Sequence, residues 1–192
     1  KITKNYPTSL YADDAYYAMG NAHFALKRYD LARASYDKLS KEYPSSEYVN
    51  RSLLKQGSMA YGEGKNQEAL RYYEAVFRNA PQSEEAKDAA GFMEEIYVEM
   101  GNPDGYFTFL NTVQGFSVDE AARDSVMFKS AERKFNGADW ETAISGFSKY
   151  LERYPTGNNS LQARFYRGEA LFELKRYDEA LRDYAYLSDQ NV

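Results

Sequence analysis

The chain has 192 residues and a net charge of −5, from 24 lysines and arginines against 29 aspartates and glutamates. An acidic chain without a concentrated basic run lacks what phosphate contacts need, which argues against nucleic acid as a partner. It contains no cysteine. That excludes disulfides, cysteine-ligated zinc and thiol catalysis, and no apolar stretch approaches the roughly 18 residues of a membrane-spanning helix.

In chain order, the first predicted helix carries Tyr16, Met19, Gly20 and His23 at helical spacing, one buried stripe, with Thr8 or Ser9 as its cap. A break at Lys27-Arg28-Tyr29-Asp30 precedes a second helix with Ala32, Tyr36 and Leu39 on one face, and Pro44 stops it. The same pair then returns. Leu26-Lys27-Arg28-Tyr29-Asp30 recurs verbatim as Leu174-Lys175-Arg176-Tyr177-Asp178, an offset of 148, which is four times 37. Tyr6-Pro7, Tyr43-Pro44 and Tyr154-Pro155 share that lattice with Pro81. So do three further series: Gly20, Gly57, Ala131 and Gly168; Ala32, Ala69, Ala143 and Ala180; and Tyr36, Tyr73, Phe147 and Tyr184. Later first helices have their own caps, Ser46 before Glu47, Ser83 before Glu84, and Ser117 with Glu120 as a capping box. The expected units are 13–49, 50–86, 87–123, 124–160 and 161–192, the last truncated, with 1–12 ending a preceding unit. Unit 87–123 is degenerate: Glu94 stands at the small-residue position, Tyr106 at the alanine and Val118 at the proline. The chain opens at Lys1 without a signal-like segment, so it reads as a piece of a longer array.

Glycine inside a helix costs about 1 kcal/mol relative to alanine. Its return at one register implies that a side chain there would block close packing of two helices. Alanine on the second helix meets the same need from the other side. One helix pair cannot bury its apolar face alone, so the pairs must stack.

These residues resemble the tetratricopeptide repeat family, whose motif runs W-x2-L-G-x2-Y, then A-x3-F, then P. Here it stands as Tyr16-x2-Met19-Gly20-x2-His23, Ala32-x3-Tyr36 and Pro44, and the last unit keeps Gly168 and Ala180-x3-Tyr184. The resemblance implies an all-α fold, a right-handed superhelical solenoid of about five antiparallel helix pairs. The 37-residue period and the Tyr-Pro signature are also similar to those of bacterial cell-envelope repeat proteins of the periplasm and outer membrane. The family's function is to bind a partner protein or peptide, without catalysis, in a concave groove lined by the first helices. The alternative is a sensor or regulatory module of a larger signalling protein.

The groove positions that the resemblance implies are Tyr17, Asn21 and Phe24; Arg51, Leu54, Lys55, Ser58 and Tyr61; Glu95 and Glu99; Phe128, Glu132 and Phe135; and Phe165, Glu169 and Phe172. The sets 17, 21, 24 and 128, 132, 135 have i, i+4, i+7 spacing, so each shares a helix face. Aromatic residues so spaced also serve as core. The glutamates give that half of the groove a preference for a basic or polar segment. The family's clamp for a C-terminal carboxylate is not matched, because Tyr17 and Asp88 replace its lysines and Phe92 its arginine, leaving only Asn21. No cofactor or metal is expected. His23 is the single histidine and reads as a satisfied core residue, Gly101-Asn102-Pro103-Asp104-Gly105 reads as a turn, and Trp140 replaces a turn tyrosine in a packing role. No constellation supports an enzyme.

Overall fold

The 37-residue spacing reappears in where helices begin. A computed structural model describes residues 11–115 and 117–189. The expectations at Tyr6-Pro7, Thr8 and Ser9 lie outside those residues. Among the described residues there are ten helices and no strand: α1 (Ala12–Ala25), α2 (Tyr29–Glu42), α3 (Tyr48–Gly62), α4 (Asn66–Asn79), α5 (Glu84–Met100), α6 (Pro103–Asn111), α7 (Glu120–Asn136), α8 (Trp140–Arg153), α9 (Ser160–Glu173) and α10 (Tyr177–Ser188). The even-numbered helices begin at 29, 66, 103, 140 and 177, each 37 residues after the last.

Local chemistry sets the helix ends. Tyr43, Ala80 and Tyr154 each precede a proline, and each leaves the helical region at φ −133, −154 and −125. The proline ring crowds the residue before it out of the α conformation. Between the helices of each pair the chain turns through a positive φ at Lys27, Gly64, Gly101, Ala138 and Lys175, again on the lattice. Ser83 accepts from the Ala86 N–H at 3.1 Å, as a cap should. The capping box at Ser117 does not form. The helix starts at Glu120, so Asp119 is the capping residue, and its carboxylate accepts from the Ala122 N–H at 2.7 Å. Ser46 accepts from the Tyr48 N–H at 3.3 Å, outside the cap position, which Glu47 occupies without a side-chain bond.

The chain forms two compact units, Lys1–Met93 and Glu94–Val192, and α5 runs across the division. In the first unit, α1 packs on α2 and α3 on α4 through the small residues. A Cβ built at Gly20 would lie 2.2 Å from the Tyr36 ring, and one at Gly57 would lie 2.4 Å from the Tyr73 ring. Both rings, with Ala32 and Ala69, are fully buried. Tyr16, Leu39 and Val49 form one apolar cluster, and Ala32, Tyr36 and Met59 another.

The second unit repeats the contact between α9 and α10, where a Cβ at Gly168 would lie 2.8 Å from the Tyr184 ring. Between α7 and α8 the contact is inverted. Ala131 takes the glycine place, and the room comes from Gly146 on the facing helix, where an added Cβ would lie 2.9 Å from that of Ala131. The degenerate segment forms α5 and the short α6. Leu110 stands at the register of Tyr36 and is buried, with Tyr106 and Phe107. Asn102 caps α6, accepting from the Gly105 N–H at 3.1 Å, and Pro103 opens it. Two buried carboxylates are fully engaged. Asp183 receives the Arg167 guanidinium fork at 2.6 and 2.7 Å. Asp124 accepts from the Tyr150 hydroxyl at 2.6 Å and the Asn158 N–H at 3.1 Å, tying the α8–α9 loop to α7.

Gly20→Ala should destabilise the chain by about 1–3 kcal/mol, since the methyl must displace a buried ring. Urea unfolding at equilibrium measures it, and an unchanged midpoint would refute the close approach. A second expectation concerns pH. Burial raises the Tyr36, Tyr73, Tyr150 and Tyr184 hydroxyls above the ordinary tyrosine range and pushes Tyr106 up to about 12. Unfolded tyrosines ionise near about pH 10. Above that pH the unfolded chain binds fewer protons than the folded one, so the stability that is intact below it falls as pH rises. Absorbance titration at alkaline pH should show this set ionising only as the helices melt. Ionisation of every tyrosine near the ordinary value in the native chain would contradict it.

First-helix faces as candidate partner surfaces

Stacking of pairs places first helices side by side within each unit. In the first unit, the Tyr17 ring stacks on Tyr48 at 4.8 Å and 15°, joining α1 to α3. The Lys55 ammonium lies 5.2 Å from the centre of the Phe24 ring. In the second, Phe135 of α7 stacks on Tyr166 of α9 at 4.6 Å and 15°. The predicted residues therefore gather on two first-helix faces, one in each unit.

Many of their side chains are already occupied. The Tyr36 hydroxyl donates to the Asn21 side-chain Oδ1 at 2.7 Å, and the Tyr184 hydroxyl donates to the Glu169 carboxylate at 2.6 Å. Ser58 and the Tyr73 hydroxyl pair at 3.4 Å. The buried ring of each second helix thus reaches through the pair to the residue that follows the small residue of the first helix. Arg51 is exposed and bonds Glu85 at 3.2 Å while lying over Tyr48. Leu54 and Tyr61 are half-buried.

In the second unit, Phe128 is a core residue, only 7% exposed, packed against Phe147, Tyr150 and Tyr166. The next first helix covers it, so it is not presented to a partner. Phe135 is half-buried, between Tyr166 and an edge-on Trp140 at 5.3 Å. Trp140 thus packs, as its register implied. Phe165 and Phe172 of α9 are the open aromatics, 47% and 52% exposed. Glu95 pairs with Arg133 and, at 3.5 Å, with Lys129, which also holds Glu94 at 3.3 Å. The Arg133 guanidinium, with Lys129 behind it, holds the Glu95 carboxyl below the usual carboxylate range. Glu99 is half-buried. Glu132 is half-buried too, and has no hydrogen-bond or ion-pair partner among the described residues.

Tyr48, Lys129 and Tyr166 were missed as members of these faces. For the last two a signal existed: 55, 92, 129 and 166 form one more lattice series, of lysines and aromatics. Its members turn toward the preceding pair, as Lys55 does over Phe24, and Tyr166 over Phe135. His23 is half-buried and its Nδ1 has no hydrogen-bond partner among the described residues, so it is not the satisfied core histidine expected. Among the described residues no group of three histidine, aspartate or glutamate side chains could hold a metal ion. No helix there is long and apolar enough to cross a membrane.

Comparison with known proteins agrees with the packing. One tetratricopeptide repeat model matches residues 14–46 and 51–83, and a second matches 128–191. Together they cover more than half of the chain. No match appears among curated proteins. Of solved structures, one of MamA protein is 16% identical, covering 91% of this chain and 89% of that one, with a TM-score of 0.50. YrrB, described as a TPR protein with an unusual peptide-binding site, is 17% identical, covering 98% and 89%, with a TM-score of 0.48. Motif, helix pairing and family models coincide on the same residues, and the chain belongs to the tetratricopeptide repeat family.

Proposed function

We propose that the chain is a non-catalytic protein-interaction module that takes a protein or peptide segment, basic or polar in character, in the groove that the family's first helices line. The observation that carries this is on α9. Phe165, Glu169 and Phe172 follow each other at i, i+4 and i+7, so they share one face, and both rings stand about half exposed. Exposed aromatics beside a carboxylate form a surface that an apolar anchor and a neighbouring polar group can both use. The uncompensated carboxylates in the second unit, Glu132 and Glu173 beside Glu169, favour a basic segment there.

A pull-down from fractionated extract of the source organism tests the reading, with wild-type chain and Phe165→Ala/Phe172→Ala as parallel baits. Both rings are largely open, so truncation should leave the fold intact. Loss of a true anchor costs on the order of 2 kcal/mol, which visibly depletes a partner. The reading expects a protein held by the wild type and depleted by the variant, and the fraction supplying it tests the periplasmic placement implied by the Tyr-Pro signature. Equal capture by both baits would move the site to the second helices and refute it.

A further inference from the structure

We infer that Glu132 is the specificity-determining residue of the second unit, reading a lysine or arginine side chain of the bound segment; this rests on the partner-binding reading above. The inference comes from an exception in the lattice. In three pairs the second-helix ring is a tyrosine whose hydroxyl meets the residue after the small one: Tyr36 with Asn21, Tyr73 with Ser58, Tyr184 with Glu169. In the α7–α8 pair the ring is Phe147, which has no hydroxyl, and the matching residue is Glu132. A glutamate at this register is therefore left without the donor that its counterpart Glu169 receives.

Neighbouring cations do not compensate it. Lys129 and Arg133 lie within one turn of Glu132 on α7, yet both reach to α5, Lys129 to Glu94 and Glu95 and Arg133 to Glu95. The Tyr184 hydroxyl that Glu169 receives is a neutral donor and brings no opposite charge to it. The aromatic surface lies alongside. Phe135 sits three residues after Glu132, and Tyr166 three residues before Glu169, so the stacked pair shares the helix faces of the two carboxylates.

This arrangement selects by charge. A segment covering Glu132 with an apolar group would strip water from an unpaired carboxylate, which is strongly unfavourable. A segment that offers an ammonium or guanidinium there replaces the lost water with an ion pair. Glu95 cannot act in this way, since its charge is already matched.

Random peptides displayed on phage, selected on the immobilised chain, provide the test. Those whose binding falls with Phe165→Ala are taken as face-binding, and their affinities are measured by fluorescence polarisation. Expected are peptides with a lysine or arginine at a common position, weakened about tenfold or more by Glu132→Gln. Glu95→Gln should change affinity by less than about twofold. Replacing the peptide's basic residue by norleucine should reproduce the Glu132→Gln loss without adding to it, and lysine-for-arginine exchange shows which cation fits. An unchanged melting midpoint for Glu132→Gln ties the loss to the contact. Face-binding peptides that lack a basic residue or ignore Glu132→Gln would overturn the inference and leave the partner-binding reading standing. Recovery of no peptide sensitive to Phe165→Ala would overturn both.

Discussion

A helix glycine pressed against a tyrosine ring sets the terms for each regular pair. At Gly20, Gly57 and Gly168 the ring occupies the space a side chain would need. The backbone cost of glycine, about 1 kcal/mol relative to alanine, is offset by burial of an aromatic side chain between the two helices. Where one partner in this contact changes, the other changes too. Ala131 is matched by Gly146 on the facing helix. In the degenerate segment Glu94 stands in the glycine register and the smaller Leu110 in the ring register.

The same contact reaches outward to the candidate surface. A tyrosine that passes beneath the glycine carries its hydroxyl beyond it along the first helix. It there engages the next residue, Asn21, Ser58 or Glu169. The core thus fixes the rotamers of some outward residues and leaves others available. Phe147 fills the core as well as a tyrosine does and is fully buried, but it has nothing to donate. One missing oxygen in the core accordingly changes the electrostatics of the face above it, at Glu132.

Much of this was legible from sequence because the lattice repeats. The glycine, alanine and aromatic series identified the helix–helix contact, and the prolines located the ends of α2 and α8 through their effect on Tyr43 and Tyr154. What was not legible depended on the neighbouring pair. Phe128 has the spacing of a groove residue, but Tyr166 of the next first helix buries it. Ser117 has capping-box spacing, but the helix begins after Asp119, which is two residues closer and has the carboxylate to cap it. The pairing of Glu95 with Arg133 links α5 to α7 across 38 residues, a distance over which single-helix periodicity says nothing. The buried Asp183 with its arginine fork had no sequence signal, because its lattice mates Ser35, Tyr72 and Gly146 are of unrelated types.

The most direct test of the glycine–ring contact is a double-mutant cycle in urea unfolding on Gly57→Ala and Tyr73→Leu. The second substitution imitates the leucine that the degenerate segment carries at that register. If the methyl is excluded by the ring, Gly57→Ala should cost much less in the Tyr73→Leu background than in the wild type, with a coupling of about 1 kcal/mol or more. Additive costs, with the alanine equally damaging whether or not the ring is present, would show that the glycines answer to some other constraint and would contradict the account.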